Sequence, residues 1–164
     1  MRTEAVETTG RVRQVAVPPD VPALTTLAHV DYADAFLVQT EQAQARTAEQ
    51  WVRAMFGTAP PGRRRALRGG WTALGFKLGP AESDRFLLGW ELRRTTPDHV
   101  LLAADSRIGM PAELYLQRRE DALLFGTFVQ HSNPIARVVW AVTEPRHRPV
   151  VRSVLEQAIR RVDP

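Results

Sequence analysis

The stretch that decides the fold is FLLGWELRRTTPDHVLLAADSRIGMPAELYLQRREDALLFGTFVQH, residues 86–131. Phe86, Leu88 and Trp90 alternate with other residues, so they share one side of an extended chain. Three more segments of similar length follow, separated by short polar turns. The predicted strands are 86–93, 100–107, 112–119 and 122–131. Because consecutive strands joined by turns this short pair antiparallel, the stretch predicts one antiparallel sheet.

The C-terminal part of the chain predicts a helix in two pieces. Ser132-Asn133-Pro134 is typical of a helix start, with proline at the first position, and we expect Pro145 and Pro149 to interrupt or kink the helix. The second piece, 150–162, has one apolar and one charged side, so it must pack on the sheet. In the first piece we expect one apolar stripe to face the core: Ile135, Val138, Val139 and Val142.

The four predicted strands from 86 to 131 form a meander. The residues before it supply another strand and two short helices. Residues 29–40 are predicted to form the strand, and Thr47 with Gln50 resembles a capping box that starts a helix running to Phe56. A second short helix is predicted at 63–67, broken at Gly69-Gly70. The fold class is therefore α+β. We divide the chain into an N-terminal extension, 1–28, and a domain, 29–164. Within the extension, Val12, Val15 and Val17 could form a short extended segment, and residues 18–28 are expected to wrap over the surface.

Composition excludes several classes of protein. The 164-residue chain has no cysteine, which excludes disulfides, thiolate metal sites and a cysteine nucleophile. Its net charge of +4 comes almost entirely from dispersed arginines, Lys77 being the single lysine, so we expect no nucleic-acid partner. No run of about 18 apolar residues is present, which predicts no membrane span. The N-terminal residues lack the apolar run of a signal peptide, and we expect a cytoplasmic location.

Few polar residues suggest chemistry. His29, Asp31 and Asp34 have ligand-type side chains, but on a strand they point to opposite faces, so no metal site is predicted. Three polar residues are candidates for a cavity: Asp105, Glu113 and His147. Either carboxylate could instead lie on the outer face, paired with an arginine such as Arg93. His147 could instead order a helix junction. No phosphate loop or hydrolase motif is present, and no cofactor is expected.

Four strings resemble the helix-grip fold of the START and polyketide-cyclase superfamily, SRPBCC: HVDYADAF at 29–36, LLGWEL at 87–92, GTFVQHSNPIARVVW at 126–140 and EPRHRPVVRSVLEQA at 144–158. Within that superfamily the chain is similar to an uncharacterised bacterial domain family. The resemblance implies a curved sheet around the C-terminal helix, with an apolar cavity between them. A cavity of several hundred Å³ is typical of a small-molecule site, and we expect that size here. The candidates for the cavity wall are Trp71, Trp90, Leu88, Leu114, Phe125 and Trp140. Each of the aromatic side chains could instead belong to an ordinary core.

Three hypotheses about function follow. The first is a protein that binds a hydrophobic or amphipathic small molecule in the cavity. The second is a cyclase or dehydratase on the same fold, which uses a carboxylate or histidine in the cavity. The third is a protein with a filled core that works through a protein partner or as a homodimer.

Overall fold

Nine antiparallel strands form one curved sheet that packs against a long C-terminal helix in the computed structural model, which describes residues 10–164. The predicted α+β helix-grip class is confirmed. The strands are β1 Val12–Val15, β2 Tyr32–Gln39, β3 Phe76–Lys77, β4 Glu82–Ser83, β5 Phe86–Leu87, β6 Trp90–Thr95, β7 His99–Ser106, β8 Ala112–Arg118 and β9 Ala122–Val129. The helices are α1 Ala48–Gly57, α2 Pro61–Ala73 and α3 Pro134–Val162.

The first long strand, β2, pairs with the last strand, β9, one strand in from the edge of the sheet. The order across the sheet is β1-β2-β9-β8-β7-β6-β5-β4, and β3 pairs with β7 beside this path. In the β2–β9 register, Tyr32 lies opposite Val129 and Phe36 lies opposite Phe125. Alternate residues point to opposite faces, so the sheet has a concave face toward α3 and a convex face away from it.

The prediction of one continuous strand at 86–93 is wrong, because this segment forms two strands, β5 and β6. Leu88 has φ 53° and Gly89 has φ 95°, and these positive angles turn the chain between β5 and β6. A Cβ atom at Gly89 would lie 2.7 Å from the Cβ of Leu78, so this position also needs glycine for space. The period-two pattern did not reveal the turn because leucine rarely adopts such a backbone conformation.

The two short helices differ in how well they were predicted. In α1, Thr47 accepts a hydrogen bond from the Gln50 amide and Gln50 accepts one from the Thr47 amide, which confirms the capping box. The predicted break of the second helix at Gly69-Gly70 is wrong, because α2 continues to Ala73. Two glycines weaken a helix by about 1 kcal/mol each relative to alanine. Leu67 and Trp71, which lie on either side of these glycines, pack against the core, and this packing stabilises the helix.

We expected Pro145 and Pro149 to interrupt or kink the C-terminal helix. They do not interrupt it, because α3 runs unbroken through both. Because α3 is one continuous helix, the same side of it faces the sheet along its whole length. Its buried residues are Ala136, Trp140, Leu155, Ala158 and Ile159. This orientation turns the predicted stripe outward, so that Ile135, Val138 and Val142 are 65%, 63% and 71% exposed, while Val139 is partly buried.

The N-terminal extension contributes to the sheet and to a second core. Strand β1 pairs with β2 at the sheet edge. After it, residues 17–27, here called the strap, cross the convex face, where Val21 is fully buried. The strap packs over Leu101, Tyr115, Leu124 and Phe128. Residues 1–9 of the predicted extension lie outside the described residues. Between residues 10 and 164, none of the helices has the length and apolar character needed to cross a bilayer.

Candidate functional site

A cavity of about 100 Å³ lies between the concave face of the sheet, α1, α2 and α3. Fourteen of its fifteen lining residues are apolar, and His147 is the single ionisable one. The helices contribute Val52, Phe56, Leu67, Trp71, His147, Val150, Val151, Val154 and Leu155, and the sheet side contributes Leu87, Leu88, Trp90, Leu102, Leu114 and Phe125. Such a wall favours an apolar occupant.

Large aromatic side chains reduce the volume of this cavity. Trp71 and Trp90 meet edge to face with ring centroids 5.4 Å apart, and Phe56 packs on Phe125 at 5.6 Å. The cavity is therefore smaller than the several hundred Å³ that we expected. Sites for drug-sized ligands measure roughly 300–1,000 Å³, and a cavity of roughly 150 Å³ is known to hold benzene. About 100 Å³ accommodates one small ring or the end of a chain.

The one ionisable residue in the wall is paired with a buried carboxylate. Nε2 of His147 lies 3.0 Å from Oδ2 of Asp34, and the side chains of His147 and Asp34 are 15% and 1% exposed. Asp34 projects from β2 on the concave face, in phase with Tyr32 and Phe36. Because an ionised carboxylate only accepts hydrogen bonds, the Nε2–H of His147 donates to it.

Further hydrogen bonds fix this carboxylate. The Tyr32 hydroxyl donates to Asp34 Oδ2 at 2.7 Å, and the Thr127 amide donates to Oδ1 at 3.0 Å. The Arg148 Nε donates to the Tyr32 hydroxyl at 3.1 Å. Burial, and then the hydrogen bond to Asp34, raise the pKa of Tyr32 above its ordinary value. The tyrosine therefore stays a neutral donor, and the position of the carboxylate beneath His147 is fixed from three sides.

The structure brings together most of the residues predicted for the cavity. Trp71, Trp90, Leu88, Leu114, Phe125 and His147 all contribute to its wall. Trp140, which we also expected there, is not in the wall. Its ring packs on Tyr32 at 4.8 Å and on His147 at 5.1 Å. Trp140 therefore contacts the His147 ring from outside the cavity.

The two carboxylates predicted for the cavity lie on the convex face, and that prediction is wrong for both. Glu113 and Asp105 are out of phase with Leu114 and Leu102, which line the cavity. Asp105 is exposed. Glu113 is fully buried beneath the strap, where it accepts hydrogen bonds from the Thr26 amide at 3.1 and 3.2 Å and from the hydroxyls of Thr25 and Thr26. Its neighbour Arg93 lies 4.0 Å away.

The cluster at the start of β2 separates into two parts. His29 and Asp31 form an exposed pair, with 3.0 Å between Nε2 and Oδ2, and Asp34 points into the core. Over residues 10–164 there is no group of three or more His, Cys, Asp or Glu side chains placed to hold a metal ion.

The sequence reasoning missed Tyr32, and it considered Asp34 only as a possible metal ligand. A signal was present, because Asp34 shares the parity of Tyr32, Phe36 and Val38, which are three of the large apolar residues of the same strand. A carboxylate on the buried side of a strand needs a partner. The partner, His147, lies 113 residues further along the chain, and no local pattern connects the two.

One polar atom of a residue that lines the cavity has no hydrogen-bond partner among the described residues. The Nε1 of Trp90 is buried and makes no hydrogen bond among the described residues, although Trp90 lines the cavity. A buried indole N–H normally finds an acceptor. Because this atom has almost no accessible surface, it does not face the open volume of the cavity.

Comparisons with known proteins add little. No family model matches the chain, and no curated protein matches it. The crystal structure of CalU16 from Micromonospora echinospora is 13% identical over 93% of this chain and 83% of that chain, with a TM-score of 0.41. A solution NMR structure of a protein from Arthrobacter aurescens is 13% identical over 84% of this chain and 90% of that chain, with a TM-score of 0.35. Likenesses of this strength say nothing about function.

Proposed function

We propose that this protein binds a small hydrophobic or amphipathic molecule in the cavity between the sheet and α3. The observation that carries the proposal is the wall itself, with fourteen apolar residues around about 100 Å³ and His147 as the one ionisable residue. The size of the cavity favours a single small ring over a sterol or a long acyl chain. The ligand places its apolar body among the aromatic side chains, and its polar group contacts His147.

Tryptophan fluorescence tests this proposal, because two of the four tryptophans line the cavity. We expect cyclohexanone to change the emission saturably, and dodecanoate to do so weakly or not at all. Val154→Phe places a larger side chain in the cavity and should weaken cyclohexanone binding by at least about tenfold, or 1.4 kcal/mol. Val30→Phe is the matched control, because Val30 is exposed and outside the wall. Equal binding by both variants, or no response from the wild type, would remove the proposal.

A second candidate function is self-association through α3. Ile135, Val138 and Val142 are spaced three and four residues apart on the exposed side of the helix, which is the spacing of paired helices. Sedimentation equilibrium tests this candidate. A dimer that Val138→Glu dissociates would support it, and a monomer at high concentration would exclude it.

A further inference from the structure

The tip of the β5–β6 hairpin holds a leucine in a backbone conformation that suits glycine. Leu87 pairs with Trp90 across the hairpin, and Leu88 and Gly89 form the two-residue turn between them. Both turn residues have positive φ angles, 53° and 95°, which are typical of the type I′ turn. The first position of that turn favours asparagine, aspartate or glycine. Between residues 10 and 164, Leu88 is the one residue other than glycine with a positive φ.

Hydrogen bonds from the neighbouring loop fix this turn. The Leu88 amide donates to the Ala81 carbonyl at 2.5 Å, and the Gly79 amide donates to the Gly89 carbonyl at 2.8 Å. A left-handed conformation is unfavourable for leucine, because its Cβ lies too close to the following carbonyl oxygen. Glycine would avoid this strain. The presence of a leucine therefore indicates that its side chain is needed at this position.

The side chain of Leu88 lies in the cavity wall and is 5% exposed. Leu87 and Trp90 also line the cavity, so the tip of this hairpin is turned inward, whereas connecting turns usually lie on the surface. Removal of one buried leucine side chain can open a cavity of roughly 150 Å³, which holds benzene. In a cavity of about 100 Å³, the Leu88 side chain therefore fills the space of a further ring.

We propose that Leu88 determines the size of the ligand, because its side chain fills the space that a second ring would need. This inference rests on the proposed binding function and narrows its ligand to molecules with a single small ring. A leucine that only packed in the core would contribute to stability and would leave the choice of ligand unchanged. Ligand preference therefore separates the two roles.

Tryptophan fluorescence titrations with cyclohexanone and with 2-decalone, a ketone of two fused rings, test the proposal. We expect the wild-type protein to bind cyclohexanone and to exclude 2-decalone. Leu88→Gly should bind 2-decalone at least about tenfold more tightly than the wild type does. The same variant should bind cyclohexanone less tightly, because a single ring no longer contacts the whole wall.

Two further variants separate the cavity from the backbone and from the core. Leu101→Ala removes a fully buried leucine from the core under the strap, outside the cavity, so both dissociation constants should stay within about twofold of the wild-type values. Leu88→Ala removes most of the same side chain as Leu88→Gly, but alanine keeps the strain. We therefore expect Leu88→Gly to unfold at a higher urea concentration than Leu88→Ala. The opposite order would contradict the strain on which the proposal rests.

The outcomes separate the proposal for Leu88 from the proposed binding function. A wild type that binds cyclohexanone, with an unchanged preference in Leu88→Gly, would overturn the role of Leu88 and leave the binding function standing. A wild type that binds 2-decalone as tightly as cyclohexanone would do the same. Failure of the wild type to bind cyclohexanone would overturn both. If Leu88→Gly does not fold, Leu88→Ala should still admit 2-decalone, and if neither variant folds, Leu88 is a folding residue and the proposal is wrong.

Discussion

The two faces of the sheet each bury one carboxylate, and the two are satisfied in different ways. On the convex face, Glu113 accepts hydrogen bonds from threonine hydroxyls and a backbone amide of the strap, with Arg93 nearby. On the concave face, Asp34 accepts from a tyrosine, a backbone amide and a histidine in a cavity wall. Burial alone therefore does not mark a functional carboxylate. The groups that donate to it, and the space beside them, distinguish an anchor from a candidate site.

The largest expected effect compares the two cores directly. Trp90→Ala on the concave side and Phe128→Ala on the convex side should each cost about 3–5 kcal/mol of stability, because both remove a buried aromatic ring. Only the Trp90→Ala loss should be partly recovered by indole, which can enter through the existing cavity. At a hundred times its dissociation constant a ligand adds about 2.7 kcal/mol. Calorimetric melting with and without indole measures this difference. Equal recovery of both variants would remove the distinction between the faces.

An intermediate effect tests Glu113 as an anchor of the strap. Glu113→Ala leaves a buried amide and two hydroxyls without their acceptor, and we expect a loss of about 3 kcal/mol. Glu91→Ala is the control. Glu91 pairs with Arg85 and Arg93 on the same side of the sheet but is partly exposed, so its loss should stay below about 1 kcal/mol. Urea denaturation compares the two, and equal losses would contradict the assignment.

The smallest effect concerns a partly exposed carboxylate, Asp163, which connects the two ends of the described chain. A hydrogen bond from Thr40, and the guanidinium of Arg11 at 2.7 Å, lower the pKa of Asp163 below its ordinary value. The ionised form is thus favoured by folding, so its stabilisation is present above the ordinary pKa and is lost as pH falls through the lowered one. Asp163→Asn should cost about 0.5–1 kcal/mol near neutral pH.

The check is a series of urea denaturations from pH 7 to pH 2. The wild-type and Asp163→Asn stabilities should converge at the acid end of the series, since the wild-type carboxyl is then neutral as well. A constant difference over the whole range would mean that Asp163 contributes through its shape and not through its charge.

The sheet could be predicted because apolar and other residues alternate along its strands. The prediction failed where contacts between distant parts of the chain determine the structure. Residues 100–131 have clear turns, so β7, β8 and β9 were predicted nearly at their observed bounds. The phase of α3 could not be read from residues 134–142 alone, since contacts of Leu155 and Ile159 further along the same helix help to set it. The apolar stripe within residues 135–142 therefore predicted the wrong side of α3 to face the core.

The candidate site was also predicted only in part, and for the same reason. The aromatic wall was predictable because Trp90 and Phe125 lie on strands of recognisable parity. Glu113 and Asp105 share the parity of Leu101, which packs under the strap. The strap residues carry little pattern of their own, so the sequence could not show that the convex side of the sheet is a second core. The pairing of Asp34 with His147 depends on two elements meeting in three dimensions.

The pairing of β2 with β9 has a consequence for the order in which the chain folds. The hairpins from β5 to β9 join neighbours in sequence, but Asp34 and Thr127, which meet across β2 and β9, are 93 residues apart. Closing so long a loop costs entropy before any contact compensates for it. We expect the meander to form early and the β2 closure late, with folding in the slow range typical of non-local sheets. The cavity and its histidine would then be assembled only in that final closure, so a chain stalled before it would hold most of its strands and no binding site.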